Sequence, residues 1–154
     1  MIIRILTIGK TSTPYLKQGV DVYLGRLKHY VKLEYLELAD VSVKERTKQK
    51  EKEGELILKN IKADDFLILL DENGKNPTSR ELADFFQKKM NAGTRCIVLV
   101  IGGAFGFSEE IYARADYQLS FSRMTFSHEM IRLFLLEQVY RSFTIIKGES
   151  YHHD

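Results

Sequence analysis

The sequence predicts an α/β fold: a mostly parallel β-sheet with helices on both faces, in a single domain over residues 1–154. Three observations lead there. Short apolar runs alternate with longer amphipathic stretches along the whole chain. Several runs, among them IIRILTI (2–8), FLILL (66–70) and CIVLVI (96–101), are apolar at all or most successive residues, as suits strands covered on both sides. No repeat, low-complexity tract or linker divides the chain, and its length suffices for one sizeable core.

The elements follow in order. Strand 2–8 stops at Gly9, and a helix follows in which Leu16, Val20, Tyr23, Leu24 and Leu27 share one face. Residues 31–38 (VKLEYLEL) alternate apolar with charged, the period of a strand with one wet face. Ser42 and Glu45 have the spacing of a capping box and predict a helix from Ser42. That helix mixes acids with bases, which reads as a solvated face more than as a basic RNA-binding patch. Strand 66–70 ends in DENGKNP, whose Asn-Gly and Asn-Pro steps predict a loop. Thr78 and Glu81 form a second capping box, ahead of a helix carrying Leu82, Phe85 and Phe86. Strand 96–101 leads into GGAFGF, and Ser108 caps a helix with Glu109 and Glu110 in its first turn. YQLSF (117–121) is the last strand and SRMTFS a loop. The helix over 128–143 is apolar nearly all round, so it is either a central core helix or, the favoured reading, a homodimer interface. Its Arg132, Glu137 and Arg141 face a cleft or pair with one another.

Composition narrows the function classes. Apolar residues make 44% and charged residues 29%, ordinary for a soluble domain, and no run nears the about 20 apolar residues that span a bilayer. MIIRILTIGK reads as a strand and not a signal peptide. One cysteine, Cys96, forms no internal disulfide and fits a reducing compartment, so a cytoplasmic protein is expected. A net charge of +2 does not announce a nucleic-acid binder, yet leaves room for charge segregation on the surface.

Ligands of open α/β sheets bind beyond the carboxyl ends of the strands. Three loops leave such ends: DENGKNP, GGAFGF and SRMTFS. Gly102, Gly103 and Gly106 let backbone approach a ligand closely. The spacing is neither G-x-G-x-x-G nor a P-loop. A nucleoside without a pyrophosphate fits better, with Leu70, Met124 and Phe126 as walls. His29 reads as a helix-end residue and His128 as a neutral imidazole in a first helical turn. There is no G-x-S-x-G elbow, and His152-His153-Asp154 finds no other His or Cys cluster, so no metal is expected.

LLDENGK, VIGGAFGFS, SFSRMTFSHEMIRLFLLEQVYRSF and the terminal YHHD together resemble the ribosomal RNA large subunit methyltransferase H family, a branch of the SPOUT methyltransferases. The resemblance runs over essentially the whole chain and is densest from residue 65. It implies a C-terminal trefoil knot, a homodimer and S-adenosylmethionine as cofactor. The family's cofactor positions match Leu70, Gly102, Phe121, Ser122, Arg123, Met124, Thr125 and Phe126, with Gly103 beside them in the glycine loop. It further implies methylation of N3 of a pseudouridine in large-subunit ribosomal RNA within the assembled ribosome. The ending departs from the family, where Tyr-His is often followed by Lys or Arg. On this reading the tail closes over the cofactor cleft, its own or the partner's. His152 orients the uracil edge or accepts its proton, Tyr151 packs beside it, and Arg141 neutralises phosphate or the developing charge. The rival readings are a different nucleotide-binding α/β enzyme and a non-catalytic ribosome-binding factor.

Overall fold

A computed structural model describes residues 1–153; Asp154, the last residue of the YHHD ending, lies outside the described residues. Five strands, β1 (Ile2–Ile8), β2 (Lys32–Leu38), β3 (Phe66–Lys75), β4 (Cys96–Ile101) and β5 (Tyr117–Leu119), form one sheet in the order β2-β1-β4-β3-β5. Every pairing is parallel. The helices between and after them are α1 (Pro14–Leu27), α2 (Arg46–Lys59), α3 (Ser79–Asn91), α4 (Glu109–Arg114) and α5 (Met130–Ile146).

The all-apolar β4 shows why the sheet is buried on both sides. Ile97, Leu99 and Ile101 point into one core with Val20 and Leu27 of α1, Leu82 and Phe86 of α3, and Leu135, Leu136, Val139 and Phe143 of α5. Cys96, Val98 and Val100 point into the other, with Ile57 of α2 and Phe107 and Ile111 around the start of α4. The period of two in a strand thus serves two helix layers. The same exclusion from water pushes the Cys96 thiol up to about 11, helped by the Asp65 carboxylate nearby.

Several expected boundaries move. Helix α2 begins at Arg46, not Ser42, and Glu45 occupies its N-cap without a side-chain capping bond. Glu45 instead pairs with Lys48 Nζ at 3.0 Å, and the Val41-Ser42-Val43 stretch stays outside the helix, as β-branched residues favour. DENGK is not simply a loop. β3 runs to Lys75 across an irregularity in which Leu70 and Lys75 both register with Leu119. Gly74 is needed there because a Cβ would sit 2.6 Å from the carbonyl carbon of Gln118. β5 is three residues long, and α5 spans Met130–Ile146, shifted from the expected 128–143. The Thr78–Glu81 capping box is present, with Glu81 N–H to Thr78 Oγ1 at 3.2 Å and Thr78 N–H to Glu81 Oε2 at 2.7 Å.

Candidate active site

The segment from Ser120 to Glu129 leaves the short edge strand β5 and runs across the carboxyl ends of the sheet to the far side of β4. Its far end is tied to the loop after β1. Glu129 accepts from Ser12 N–H and Oγ and from Thr13 N–H at 2.6–3.0 Å. These three donors hold its carboxyl down to about 2. Arg132, fully buried, donates to Ile8 O (2.7 Å), Thr11 Oγ1 (2.9 Å) and His128 O (3.1 Å), and lies 3.6 Å from Glu37. Arg132 therefore neither faces a cleft nor pairs with Glu137.

Beneath this segment lies a cavity of about 930 Å³, the size range of small-molecule sites. The ends of β3, β4 and β5 supply its walls, so the three loops singled out in the sequence converge. Leu70, Gly102, Gly103, Phe121, Ser122, Met124, Thr125 and Phe126 all line it; Arg123 does not. Ile101, Leu119 and Ile131 add apolar surface. The turn over the cavity is held by its own hydroxyls, Ser120 Oγ donating to Ser122 O and Met124 N–H to Ser122 Oγ, each at 2.9 Å. Gly106 closes the glycine turn with φ +77°, its N–H 3.3 Å from Gly103 O. A Cβ at Gly102 would meet the Phe107 ring at 3.0 Å. Such a cleft offers peptide donors and acceptors between apolar walls, which suits a purine nucleoside. It presents no metal-ligand cluster among the described residues.

Sequence reasoning missed part of the lining. Asp71 and Glu72 add acidic lining with the neutral Asn73 beside them, and Asp71 accepts from the Tyr112 hydroxyl. Burial first, and this carboxylate second, push Tyr112 up to about 12, so its proton stays on. Arg46, Thr47 and Lys50 of α2 also line the cavity. Their spacing on one helix face was visible in the sequence, but the interleaved acids masked it.

Tyr151, His152 and Arg141 come together elsewhere, against α1 and α5, and none lines the cavity of its own chain. The Tyr151 hydroxyl is 3.1 Å from both Tyr23 Oη and Glu137 Oε1, and its ring meets Tyr140 edge-on at 4.8 Å. Arg141 lies over the Tyr151 ring at 4.7 Å, donates to Glu137 and sits 3.3 Å from His152 Nδ1. Burial and the tyrosine and glutamate neighbours push the Tyr151 phenol above its ordinary value. The hydrogen bond to Glu137 raises the Arg141 guanidinium further, so it stays charged. Just before Tyr151 and His152, Glu149 accepts from Tyr30 Oη at 2.6 Å.

A parallel α/β sheet with a nucleoside-sized cleft under a strap at its carboxyl edge defines a small nucleotide- or nucleoside-using domain. Comparison with known proteins narrows the class. The family model described as "Predicted SPOUT methyltransferase" matches residues 1–152. Proteins named ribosomal RNA large subunit methyltransferase H are similar over nearly the full length. The one from Christiangramia forsetii is 48% identical, and that from Flavobacterium psychrophilum 51%, each covering 99% of both chains. The one from Clostridium botulinum strain Kyoto is 48% identical at the same coverage. A probable methylase family protein from Haemophilus influenzae Rd KW20 shares the fold, with TM-score 0.55 and 17% identity over 99% of this chain and 70% of its own. The chain belongs to the SPOUT methyltransferases and, within them, to the ribosomal RNA large subunit methyltransferase H family.

Proposed function

We propose that this protein transfers a methyl group from S-adenosylmethionine to N3 of a pseudouridine in large-subunit ribosomal RNA, within the assembled ribosome. The observation that carries the reading is the convergence of the three strand-end loops on one cavity, in a chain about half identical to the relatives named above. The cavity fits the cofactor in size and chemistry. Leu70, Gly102, Gly103, Phe121, Ser122 and Met124 to Phe126 would hold it, with peptide groups for the adenine edge and apolar side chains along its faces. Bound there, it supplies a methyl group already activated by sulfonium charge. Arg123 points to another role, at the RNA, because it does not line the cavity.

The protein's own residues would orient the base and manage its proton. Alignment of the reacting groups is worth up to ~7–11 kcal/mol in favourable cases, and a positioned base ~10²–10⁴-fold. His152 would hold or accept the N3 proton. Tyr151, whose phenol stays protonated, would donate a hydrogen bond, and Arg141 would meet the negative charge that develops on the imide. Because this trio stands apart from its own chain's cavity, the reading requires a homodimer in which one tail serves the partner's cleft. The distribution of exposed apolar side chains supports it. Tyr15 and Val22 of α1, Phe134 of α5, and Met124 and Phe126 of the strap are five of the six large ones exposed among the described residues. The crossing of the sheet's carboxyl edge by residues 120–129 supports the trefoil knot. A single domain over the whole chain and a cytoplasmic location complete the proposal; no helix among the described residues is long and apolar enough to cross a membrane.

Mass spectrometry of ribosomal RNA from cells with and without the gene tests the function. Loss of one methyl from a large-subunit pseudouridine is the expected result, and an unchanged methylation pattern would refute it. Side-by-side calorimetry with S-adenosylmethionine and ATP separates this reading from another nucleotide-binding enzyme. A ribosome-binding factor would bind ribosomes and transfer no methyl.

A further inference from the structure

Glu53 is a carboxylate in the wrong place for a surface helix. It sits on α2, in a run otherwise dominated by solvated charge, yet is only 3% exposed. Gln49 Nε2 donates to it at 3.1 Å, the peptide N–H of Gly103 is the other donor beside it, and no cation pairs with it among the described residues. Burial accordingly raises its carboxyl above the ordinary value, while the two donors oppose the shift. A buried charge held only by neutral donors costs stability, so a packing role alone is a poor reason to have it.

The geometry around Gly103 supplies the reason. A Cβ on Gly103 would sit 2.6 Å from both oxygens of Glu53. The carboxylate is therefore seated directly under the glycine turn, filling the space a side chain would take. One residue on, a Cβ at Gly54 would lie 2.7 Å from Ser108 Oγ, so α2 is pressed against the N-cap of α4 as well. Arg46, Lys50 and Glu53 fall at i, i+4 and i+7, on one helix face. The contact that buries Glu53 also turns Arg46 and Lys50 toward the cavity they line.

We propose that Glu53 is a positioning residue for the cofactor: its buried carboxylate grips the Gly103 peptide and fixes the glycine turn in the conformation that seats S-adenosylmethionine. This rests on the cofactor reading given above. Glu53 touches no reacting atom. It acts through the turn, and the pair of residues is interdependent, since only glycine at 103 leaves room for the carboxylate.

The test uses the full-length protein and two readouts, the affinity for S-adenosylmethionine by calorimetry and the Gly103 amide resonance by NMR. Glu53→Gln keeps an acceptor in place and is expected to bind S-adenosylmethionine within ~3-fold of wild type. Glu53→Ala removes a hydrogen bond to a charged group and should weaken binding ~10-fold or more, with the Gly103 amide moving upfield and exchanging faster. If Glu53→Ala fails to fold, Glu53→Met, which keeps volume and removes both acceptors, gives the same readouts. Gly103→Ala should impair binding strongly in wild type, but add less than ~3-fold once Glu53 is alanine or methionine, because the clash is then gone. Wild-type affinity and an unmoved amide in the folded Glu53→Ala or Glu53→Met protein would overturn the proposal. So would additive effects of the two positions. If the wild-type protein binds no S-adenosylmethionine, the cofactor reading falls, while the amide readout still decides whether Glu53 holds the turn.

Discussion

Replacing Arg132 with alanine removes the largest fully buried side chain in the molecule. Three acceptors lose their donor: Ile8 O at 2.7 Å, Thr11 Oγ1 at 2.9 Å and His128 O at 3.1 Å. Hydrogen bonds from a charged group contribute ~1.5–3 kcal/mol each, and groups left buried without a partner cost at the upper end. The Glu37 contact adds little, since it is 3.6 Å long and the carboxylate is partly exposed and can rehydrate. The segment can also relax into part of the vacated space. The expected loss is ~3–5 kcal/mol, the range for one-sided disruption of a buried charged group. At ~2–4 °C per kcal/mol for a chain of this size, Tm should fall by ~6–20 °C. Arg132→Lys keeps the charge but cannot reach all three acceptors, and should lose about half as much. Urea unfolding monitored by tyrosine fluorescence and far-UV dichroism measures both. A loss below ~1 kcal/mol for the alanine variant would refute the claim that Arg132 holds the strap to the end of β1.

Glu129 gives a pH signature. Its carboxyl is depressed from 4.5 to about 2, so the tie to Ser12 and Thr13 contributes fully above the ordinary value and is lost as pH falls through the folded one. The stability difference between wild type and Glu129→Gln should therefore be constant at neutral pH, shrink below pH 4.5 and vanish near pH 2, read by thermal melts across that window. Truncation after Gly148 removes Tyr151 and His152 but no cavity residue; it should leave S-adenosylmethionine binding intact and abolish methylation of ribosomes, and a fully active truncation would end the catalytic role of the tail. Phe86→Ala empties a fully buried site between Phe85 and Phe143 and should cost ~3–5 kcal/mol by urea titration, with no change in cofactor affinity once folded.

The fold was legible where one physical signal dominated. The runs at 2–8, 66–70 and 96–101 are buried on both faces because parallel strands carry helices on both sides, and their apolar continuity says so. The Thr78 box was readable because both of its reciprocal bonds lie within four consecutive residues. The Ser42 box misled because Glu45 itself occupies the N-cap and its side chain lies beside Lys48, an outcome invisible in a four-residue pattern. The irregularity between Leu70 and Lys75 depends on how close β5 approaches Gly74, which is a tertiary fact. Within the candidate site, the three loops could be found from their place after strands. The α2 wall could not, because charge alternation looks the same whether one helix face meets water or a ligand. Arg132 was misplaced for a related reason: nothing local marks an arginine two of whose three acceptors, Thr11 Oγ1 and Ile8 O, lie more than a hundred residues away.

The sheet order has a consequence for how the chain is made. β1 lies between β2 and β4, yet β4 begins at Cys96, long after β1 ends at Ile8. At a synthesis rate of ~5–20 residues per second, the first strand waits roughly 4–18 s for its second neighbour. Over that interval one flank of a strand that is apolar but for Arg4 and Thr7 has no mate, an open edge of the kind that invites pairing with another chain.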